Sequence, residues 1–323
     1  MQFPLFQPPT EWVMPDGYPD LSHAREVAID LETRDPNLTT MGSGWARKDG
    51  HIIGVAVAVE GDQWYFPIRH ELGPNLDPKT TLRWLQDVVS IDRDYVFHNA
   101  PYDVGWMLAE GVSVKGRIVD TMVVAPLLDE NRFSYALNAI GRDYLQERKS
   151  EKELREAAEA FGVNAKSEMF KLPAAYVGAY AEQDAALTLR LWTFFKGLII
   201  KEDIGDIFDL ELKVLKTIIP MRERGVRVDL EKAERIKIDL EQREKKLLAE
   251  IKRQSGIAVE LWAAESVSKA FDALNLEYNK TEKTGAPSFT KGFLANHPHE
   301  VPKMIVEARE FNKARTTFVD AIL

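Results

Sequence analysis

Residues 26–35 read EVAIDLETRD, a short stretch that combines a strand pattern with paired acids. The apolar run VAI between polar residues predicts a buried β-strand over residues 26–31. Residues two apart on a strand point to the same face, so Asp30 and Glu32 are expected to project side by side. Two carboxylates about 4 Å apart repel by roughly 4 kcal/mol at an effective dielectric constant of 20. The pair therefore indicates an ordinary strand end, a protonated acid, or a positive charge held between the two.

The composition predicts a soluble globular protein with a sizeable core. The chain has 323 residues, of which 45% are hydrophobic and 29% charged, a length that favours two domains over one. No stretch approaches the ~18 apolar residues that cross a bilayer, and the start MQFPLFQPPTEW does not resemble a signal peptide. The absence of cysteine excludes disulfides and thiolate metal sites. We expect an intracellular protein without a membrane partner.

The net charge of −9 is unevenly distributed along the chain. Residues 1–221 carry 23 basic and 34 acidic side chains, whereas residues 222–323 carry 19 basic and 17 acidic ones. The acidity therefore belongs to the first part, and the overall charge does not exclude a nucleic-acid partner for the second.

Alternating strand and helix patterns predict an α/β sheet flanked by helices in the first part. The strands are expected at residues 26–31, 52–59, 63–68, 94–98 and 117–120, with a hairpin turn at Gly61–Asp62. Helices are expected at 80–90, at 101–110, and through most of 134–196.

No strand is predicted after residue 202. An apolar helix over 207–224 is expected to end at Gly225, and Asp229 is expected to cap the next helix, 229–254. That second helix has only a thin apolar stripe, at Ala233, Ile236, Leu240, Leu247 and Ile251. It fits either a solvated helix with many ion pairs or a helix that contacts nucleic acid.

Three further residues can join the acidic pair. Asp103 is predicted at the start of the helix that follows the strand DYVFH, where an acid also suits the helix dipole. Tyr180 and Asp184 are four residues apart in a mostly apolar helix, so they lie on one face. The tyrosine and the aspartate could form a simple hydrogen bond, but an acid among apolar neighbours is expected to need a partner.

The order D-x-E, HN-x2-YD and Y-x3-D resembles the three motifs of the DEDD exonuclease superfamily, in its tyrosine-containing branch. The resemblance implies an RNase H-like fold, and the segment around Asp120–Thr121 is similar to the middle of that family. It also implies that Thr33 and Asn99 contact the 3′ end of the substrate. The implied catalytic residues are Asp30, Glu32, Asp103, Tyr180 and Asp184.

The later segments LELKVLKTIIPMRERGVRVD, KTGAPSFTKGFL and EAREFNKARTTFVDAIL resemble the start of the polymerase region and the thumb of family A DNA polymerases of bacteriophage type. We therefore expect an exonuclease domain over 1–201 and a smaller, all-α, thumb-like region over 202–323. Arg222 departs from the family, which usually carries Glu there. No palm or fingers motif follows, so we expect no polymerase activity from this chain alone. It would then be a fragment or a subunit that joins a separate polymerase chain.

The resemblance implies a proofreading exonuclease that uses two Mg²⁺ or Mn²⁺ ions, bound by the acids at 30, 32, 103 and 184. It would hydrolyse single-stranded or frayed 3′ ends of DNA to 5′-mononucleotides, in the host cytoplasm if phage-encoded. Tyr180 would orient the attacking water. Two alternatives stay open at this point: an RNA-directed 3′ exonuclease related to ribonuclease D, and a DNA-binding module with a vestigial metal site.

Overall fold

The computed structural model describes residues 8–147 and 149–323. The chain divides into two compact units, the first ending at Gly225 and the second running from Val226 to Leu323. The sequence predicts that the exonuclease region ends after residue 201 and that the thumb-like region begins there. This functional boundary stays a prediction. The first unit continues past it because the helix Gly205–Arg224 buries an apolar face, on which Phe208 packs against Trp192.

Strands and helices alternate along the first unit, as the sequence pattern predicts. Its strands are β1 (Glu26–Arg34), β2 (His51–Val59), β3 (Asp62–Pro67), β4 (Asp94–Phe97) and β5 (Arg117–Asp120). Its helices are α1 (Leu38–Met41), α2 (Pro78–Val89), α3 (Ala100–Ala109), α4 (Thr121–Leu128), α5 (Leu137–Ile140), α6 (Lys152–Phe161), α7 (Gly178–Lys201) and α8 (Gly205–Arg224).

The five strands form one mixed sheet in the order β3-β2-β1-β4-β5. The central strand β1 pairs antiparallel with β2 and parallel with β4. This architecture confirms the predicted α/β class and agrees with an RNase H-like fold. The hairpin turn was predicted one residue too late: Val59 pairs with Asp62, so Glu60 and Gly61 form the turn. Gly61 adopts a φ of 90°, which favours glycine at that position.

Helix α7 packs across the face of the sheet, and two carboxylates fix its position. Near its start, Glu182 Oε1 accepts hydrogen bonds from the indole of Trp12 at 2.8 Å and from the backbone N of Tyr65 at 3.0 Å. Near its end, Lys196 Nζ and the indole of Trp192 donate to Glu26, at the beginning of β1, each at 2.8 Å. These contacts hold α7 to an edge strand and to the central strand, so the side chains between them have defined positions.

Arg222, the departure from the family pattern, has a place in this unit. Its guanidinium lies over the ring of Trp45 at 5.6 Å from the centroid, and Trp45 is buried. A glutamate could not make this cation–π contact.

The second unit is mostly helical. Its elements are α9 (Leu230–Ser255), α10 (Ala264–Ala273), β6 (Asn279–Lys280), β7 (Pro287–Ser288), α11 (Lys291–Ala295) and α12 (Glu300–Lys313). The sequence predicts no strand after residue 202. That prediction is wrong, because β6 and β7 form a short antiparallel hairpin. As predicted, Gly225 ends α8 and the side chain of Asp229 caps α9 by accepting from Lys232 N. None of the helices in the described part of the chain has the length and apolar character needed to span a bilayer.

A glycine in β2 accommodates a buried tyrosine. Gly54 lies opposite Glu32, and a Cβ at position 54 would lie 2.0 Å from the hydroxyl of Tyr65. That hydroxyl is held by His70 Nε2 at 2.7 Å, so the ring cannot move away without losing a buried hydrogen bond. Overpacking at such a site typically destabilises a protein by about 1–3 kcal/mol.

We therefore predict that Gly54→Ala lowers the free energy of unfolding by about 1–3 kcal/mol in urea denaturation. The matched control is Gly197→Ala on the exposed side of α7, where an added Cβ meets no atom within 4 Å. There alanine should stabilise the helix by roughly 0.5–1 kcal/mol. If both variants changed stability in the same direction, the steric role of Gly54 would be wrong.

Candidate active site

The paired acids lie in the middle and carboxyl half of the central strand, which continues to Arg34, beyond the end predicted at residue 31. Asp30 and Glu32 are both half-buried on one face of β1, opposite Ala56 and Gly54 of β2. The register of β1 shifts directly after Glu32, where a bulge bends the strand.

Asp103 reaches this part of β1 from α3. The helix begins after β4, the parallel neighbour of β1, and Asp103 occupies its first turn with only 4% of its surface exposed. Its Oδ1 accepts a hydrogen bond from Leu31 N at 3.0 Å. Because Leu31 lies between the two acids of β1, this bond brings Asp103 to the same place.

Asp120, at the end of β5, fixes the turn that starts α3. Its buried carboxylate accepts hydrogen bonds from the backbone N of Asn99 at 2.9 Å and of Ala100 and Met122 at 2.8 Å. Asn99 adopts a φ of 76°, a left-handed conformation that asparagine tolerates better than most residues. Burial raises the pKa of Asp120 to about 6 despite the three N–H donors. The segment around Asp120–Thr121, which resembles the middle of the DEDD exonucleases, thus helps to position Asp103.

Tyr180 and Asp184 face the site from α7, and a lysine joins them. Lys149 Nζ donates to Asp184 Oδ2 at 2.7 Å and to Tyr180 Oη at 2.9 Å. The ammonium also lies 4.4 Å from the centroid of the tyrosine ring. The other carboxylate oxygen, Asp184 Oδ1, is buried without a hydrogen-bond partner in the described part of the chain.

Sequence reasoning missed Lys149. It lies in the charged run ERKSEKE, residues 147–153, which has the composition of a solvated surface. No spacing rule connects Lys149 to Asp184, which lies 35 positions further along the chain. A run of charged residues also gives no indication of which of them is buried.

The acids raise one another's pKa values. Burial and then repulsion from Asp184 raise the pKa of Asp30 to about 7, an effect that Lys149 opposes. Burial, followed by the charges of Asp30 and Asp184, raises the pKa of Glu32 well above its ordinary range. Burial and the charge of Asp30 do the same for Asp103. The four carboxylates therefore share one electrostatic environment that is short of positive charge.

The two predicted substrate contacts, Thr33 and Asn99, have different surroundings. Thr33 Oγ1 is 2.6 Å from the hydroxyl of Tyr102, which itself donates to Asp35 Oδ2 at 3.4 Å. The side chain of Asn99 is exposed at the start of α3. Their roles in binding the 3′ end stay predictions.

The donor set fits hard divalent ions in its chemistry. Carboxylate oxygens are the ligands that Mg²⁺ and Mn²⁺ prefer, and the buried Asp184 Oδ1 has no hydrogen-bond partner among the described residues. In the conformation described for residues 8–147 and 149–323, no three Asp, Glu or His side chains are close enough to surround an ion. The acidic side chains would therefore have to move closer together when an ion binds.

A cavity of about 1260 Å³ lies elsewhere, around the beginning of β1 and the β2–β3 turn. None of the five predicted catalytic residues lines it. One of its acids, Glu26, is already paired with Lys196 at 2.8 Å. This cavity is therefore separate from the acidic site.

Relatives of this chain are DNA polymerases. The DNA-directed DNA polymerase of Pseudomonas phage M6 is 34% identical over the whole chain, which covers 50% of that protein. The DNA polymerase DpoZ of Salmonella phage PMBT28 is 29% identical over 94% of the chain and 48% of its own length. DNA polymerase I of Pseudomonas aeruginosa is 25% identical over 94% of the chain. The chain thus spans about half the length of the phage relatives.

The fold has a counterpart among solved structures. The POL domain of Pol1 from M. smegmatis, in complex with a DNA primer-template and dNTP, matches with a TM-score of 0.67. The match covers 93% of this chain and 47% of that one, at 17% identity, and it supports the fold alone. A family model described as a 3′-5′ exonuclease matches residues 17–200, which contain all the acids of the site. The chain therefore belongs to the 3′-5′ exonuclease family of family A DNA polymerases.

Proposed function

We propose that this chain is a 3′-5′ exonuclease that depends on two divalent ions and acts on DNA. The observation that carries the proposal is the gathering of Asp30, Glu32, Asp103 and Asp184 from three elements at the carboxyl half of β1. Membership of the exonuclease family implies dependence on divalent metal. Four carboxylates in one partly buried place have no evident structural use, because their repulsion opposes folding.

Hydrolysis of a phosphodiester needs an attacking water, neutralised charge at phosphorus and a stabilised leaving oxygen. Divalent ions, when bound, supply these functions. The carboxylates of Asp30, Glu32, Asp103 and Asp184 would hold them. The protein positions at least one of these ligands in advance, since Asp103 Oδ1 accepts a hydrogen bond from Leu31 N.

Tyr180 is a hydrogen-bonding group in this proposal, not a base. Burial and the charges of Glu32 and Asp184 raise its pKa far above its ordinary value, so the phenol stays protonated at neutral pH. Its oxygen already accepts from Lys149, because an ammonium can only donate. Tyr180 also shares a side-chain hydrogen bond with Asp184, so the phenol would orient the attacking water from beside a carboxylate that would hold an ion.

We propose DNA as the substrate and proofreading as the role. The support is that the relatives named above are DNA polymerases. A mismatched primer end frays, and fraying delivers the single-stranded 3′ terminus that such a site would hydrolyse to 5′-mononucleotides. The polymerase region that supplies such ends would lie in the same polypeptide or in a partner chain.

The first prediction tests the activity. Wild-type protein with Mg²⁺ should shorten 5′-labelled single-stranded DNA stepwise from its 3′ end, should cut RNA more slowly, and should be inactive in EDTA. Asp30→Ala should lose nearly all of this activity, whereas Asp62→Ala, on the exposed β2–β3 hairpin, should retain it. Near wild-type hydrolysis by folded Asp30→Ala would contradict the site assignment.

The second prediction separates positioning from metal binding. Tyr180→Phe removes one orienting hydrogen bond, so we expect a loss of about 1–3 kcal/mol, or roughly 5- to 150-fold in rate. Asp184→Ala removes a carboxylate ligand and should be far less active. Single-turnover rates on the same labelled oligonucleotide would measure both losses. If the phenylalanine variant, folded and with metal present, were as inactive as Asp184→Ala, Tyr180 would have to transfer a proton.

The third prediction follows from the raised pKa of Asp30, which is about 7 in the folded protein against an ordinary 3.8. Between these values the folded state binds more protons than the unfolded state, so this acid's contribution to stability is lost as pH rises from about 4 to about 7. In EDTA, the thermal midpoint of the wild type should fall over this window relative to that of Asp30→Asn. Saturating Mg²⁺ should reduce the difference. Parallel pH profiles of the two proteins in EDTA would show that Asp30 is not under this repulsion.

A further inference from the structure

Lys149 enters the site on a segment that is fastened to α7. The carboxylate of Glu147 pairs with the guanidinium of Arg190, with contacts of 2.6 to 3.1 Å. Three residues later, Ser150 N donates to the side chain of Gln183 at 2.9 Å. The lysine is thus held between two anchors on the helix that carries Tyr180 and Asp184.

The ammonium is buried, unlike that of an ordinary surface pair. The side chains of Lys149 and Asp184 are 9% and 8% exposed. Exposed ion pairs typically contribute 0–1 kcal/mol, whereas breaking a buried one leaves an uncompensated charge. Lys149 is also the basic side chain whose charge opposes the repulsion felt by Asp30 and Glu32.

We propose that Lys149 is a positioning residue, a resident counter-ion that holds the acidic cluster together before divalent ions bind and competes with them for Asp184. The inference rests on the proposed function, because it assumes that the acids bind such ions. Asp184 Oδ2 accepts from the ammonium, whereas Oδ1 has no hydrogen-bond partner among the described residues. Asp184 would thus have one oxygen open to a divalent ion and one for which the ion and Lys149 would compete.

This role has two consequences of opposite sign. Without divalent ions, loss of the ammonium should destabilise the protein, because a buried carboxylate would lose the cation that pairs with it. With them, the same loss should strengthen binding, because a competing positive charge is gone. A lysine that merely packed against Tyr180 would predict the first effect but not the second.

The test is titration of the full chain with Mn²⁺ by calorimetry, together with thermal unfolding in EDTA. Lys149→Met keeps the length of the side chain and removes its charge. It should bind Mn²⁺ roughly tenfold more tightly than the wild type, within the range usual for competing ligands, and its midpoint in EDTA should be several degrees lower. Lys149→Arg keeps the charge and should stay near wild-type affinity. Lys152→Met, an exposed neighbour, should change neither quantity.

Unchanged or weaker Mn²⁺ binding by Lys149→Met would overturn the competition. Lys149→Gln carries the same prediction if the methionine variant does not fold. Failure of the proposed function would look different: the wild type itself would bind no Mn²⁺, or Asp30→Ala would bind it as tightly as the wild type, and the inference would then fall with it. Tighter binding by both neutral variants, with Lys149→Arg unchanged, would support the resident counter-ion.

Discussion

Repulsion among four carboxylates at the carboxyl half of β1 is the constraint on which the rest of the first unit depends. Asp30 and Glu32 follow from the two-residue period of a strand, and Asp103 and Asp184 are brought near them by α3 and α7. Burial, and then the charge of Asp184, raise the pKa of Asp30 to about 7, which reflects the cost of keeping this carboxylate ionised. The buried ammonium of Lys149 offsets part of the repulsion among the carboxylates, and divalent ions would offset the rest.

The scaffold positions these acids by polar contacts at some distance from the chemistry. Glu182 and Glu26 fasten α7 to β3 and β1, and this sets where Asp184 and Tyr180 lie. Asp120 plays the same part for α3 by holding the turn at Asn99. A site supported on a strand and two such helices limits how far its acidic side chains must move to bind an ion.

Local patterns in the sequence predicted the strands, the long helices and the acids that the structure brings together. The apolar run before Asp30 and the four-residue spacing of Tyr180 and Asp184 are periodic signals, and the order of the motifs supplied the family. Lys149 was not predictable, because its burial depends on anchors from 147 and 150 to distant residues of α7. The hairpin β6–β7 was missed because strands of two residues have no periodicity to detect.

The most direct measurement of the central claim is anomalous X-ray diffraction from crystals of the protein soaked with Mn²⁺. We expect two anomalous peaks about 3.5–4 Å apart beside Asp30 of β1, with Lys149 Nζ moved away from Asp184. Ordered crystals with Mn²⁺ elsewhere, and with the acids still paired only to Lys149, would contradict it.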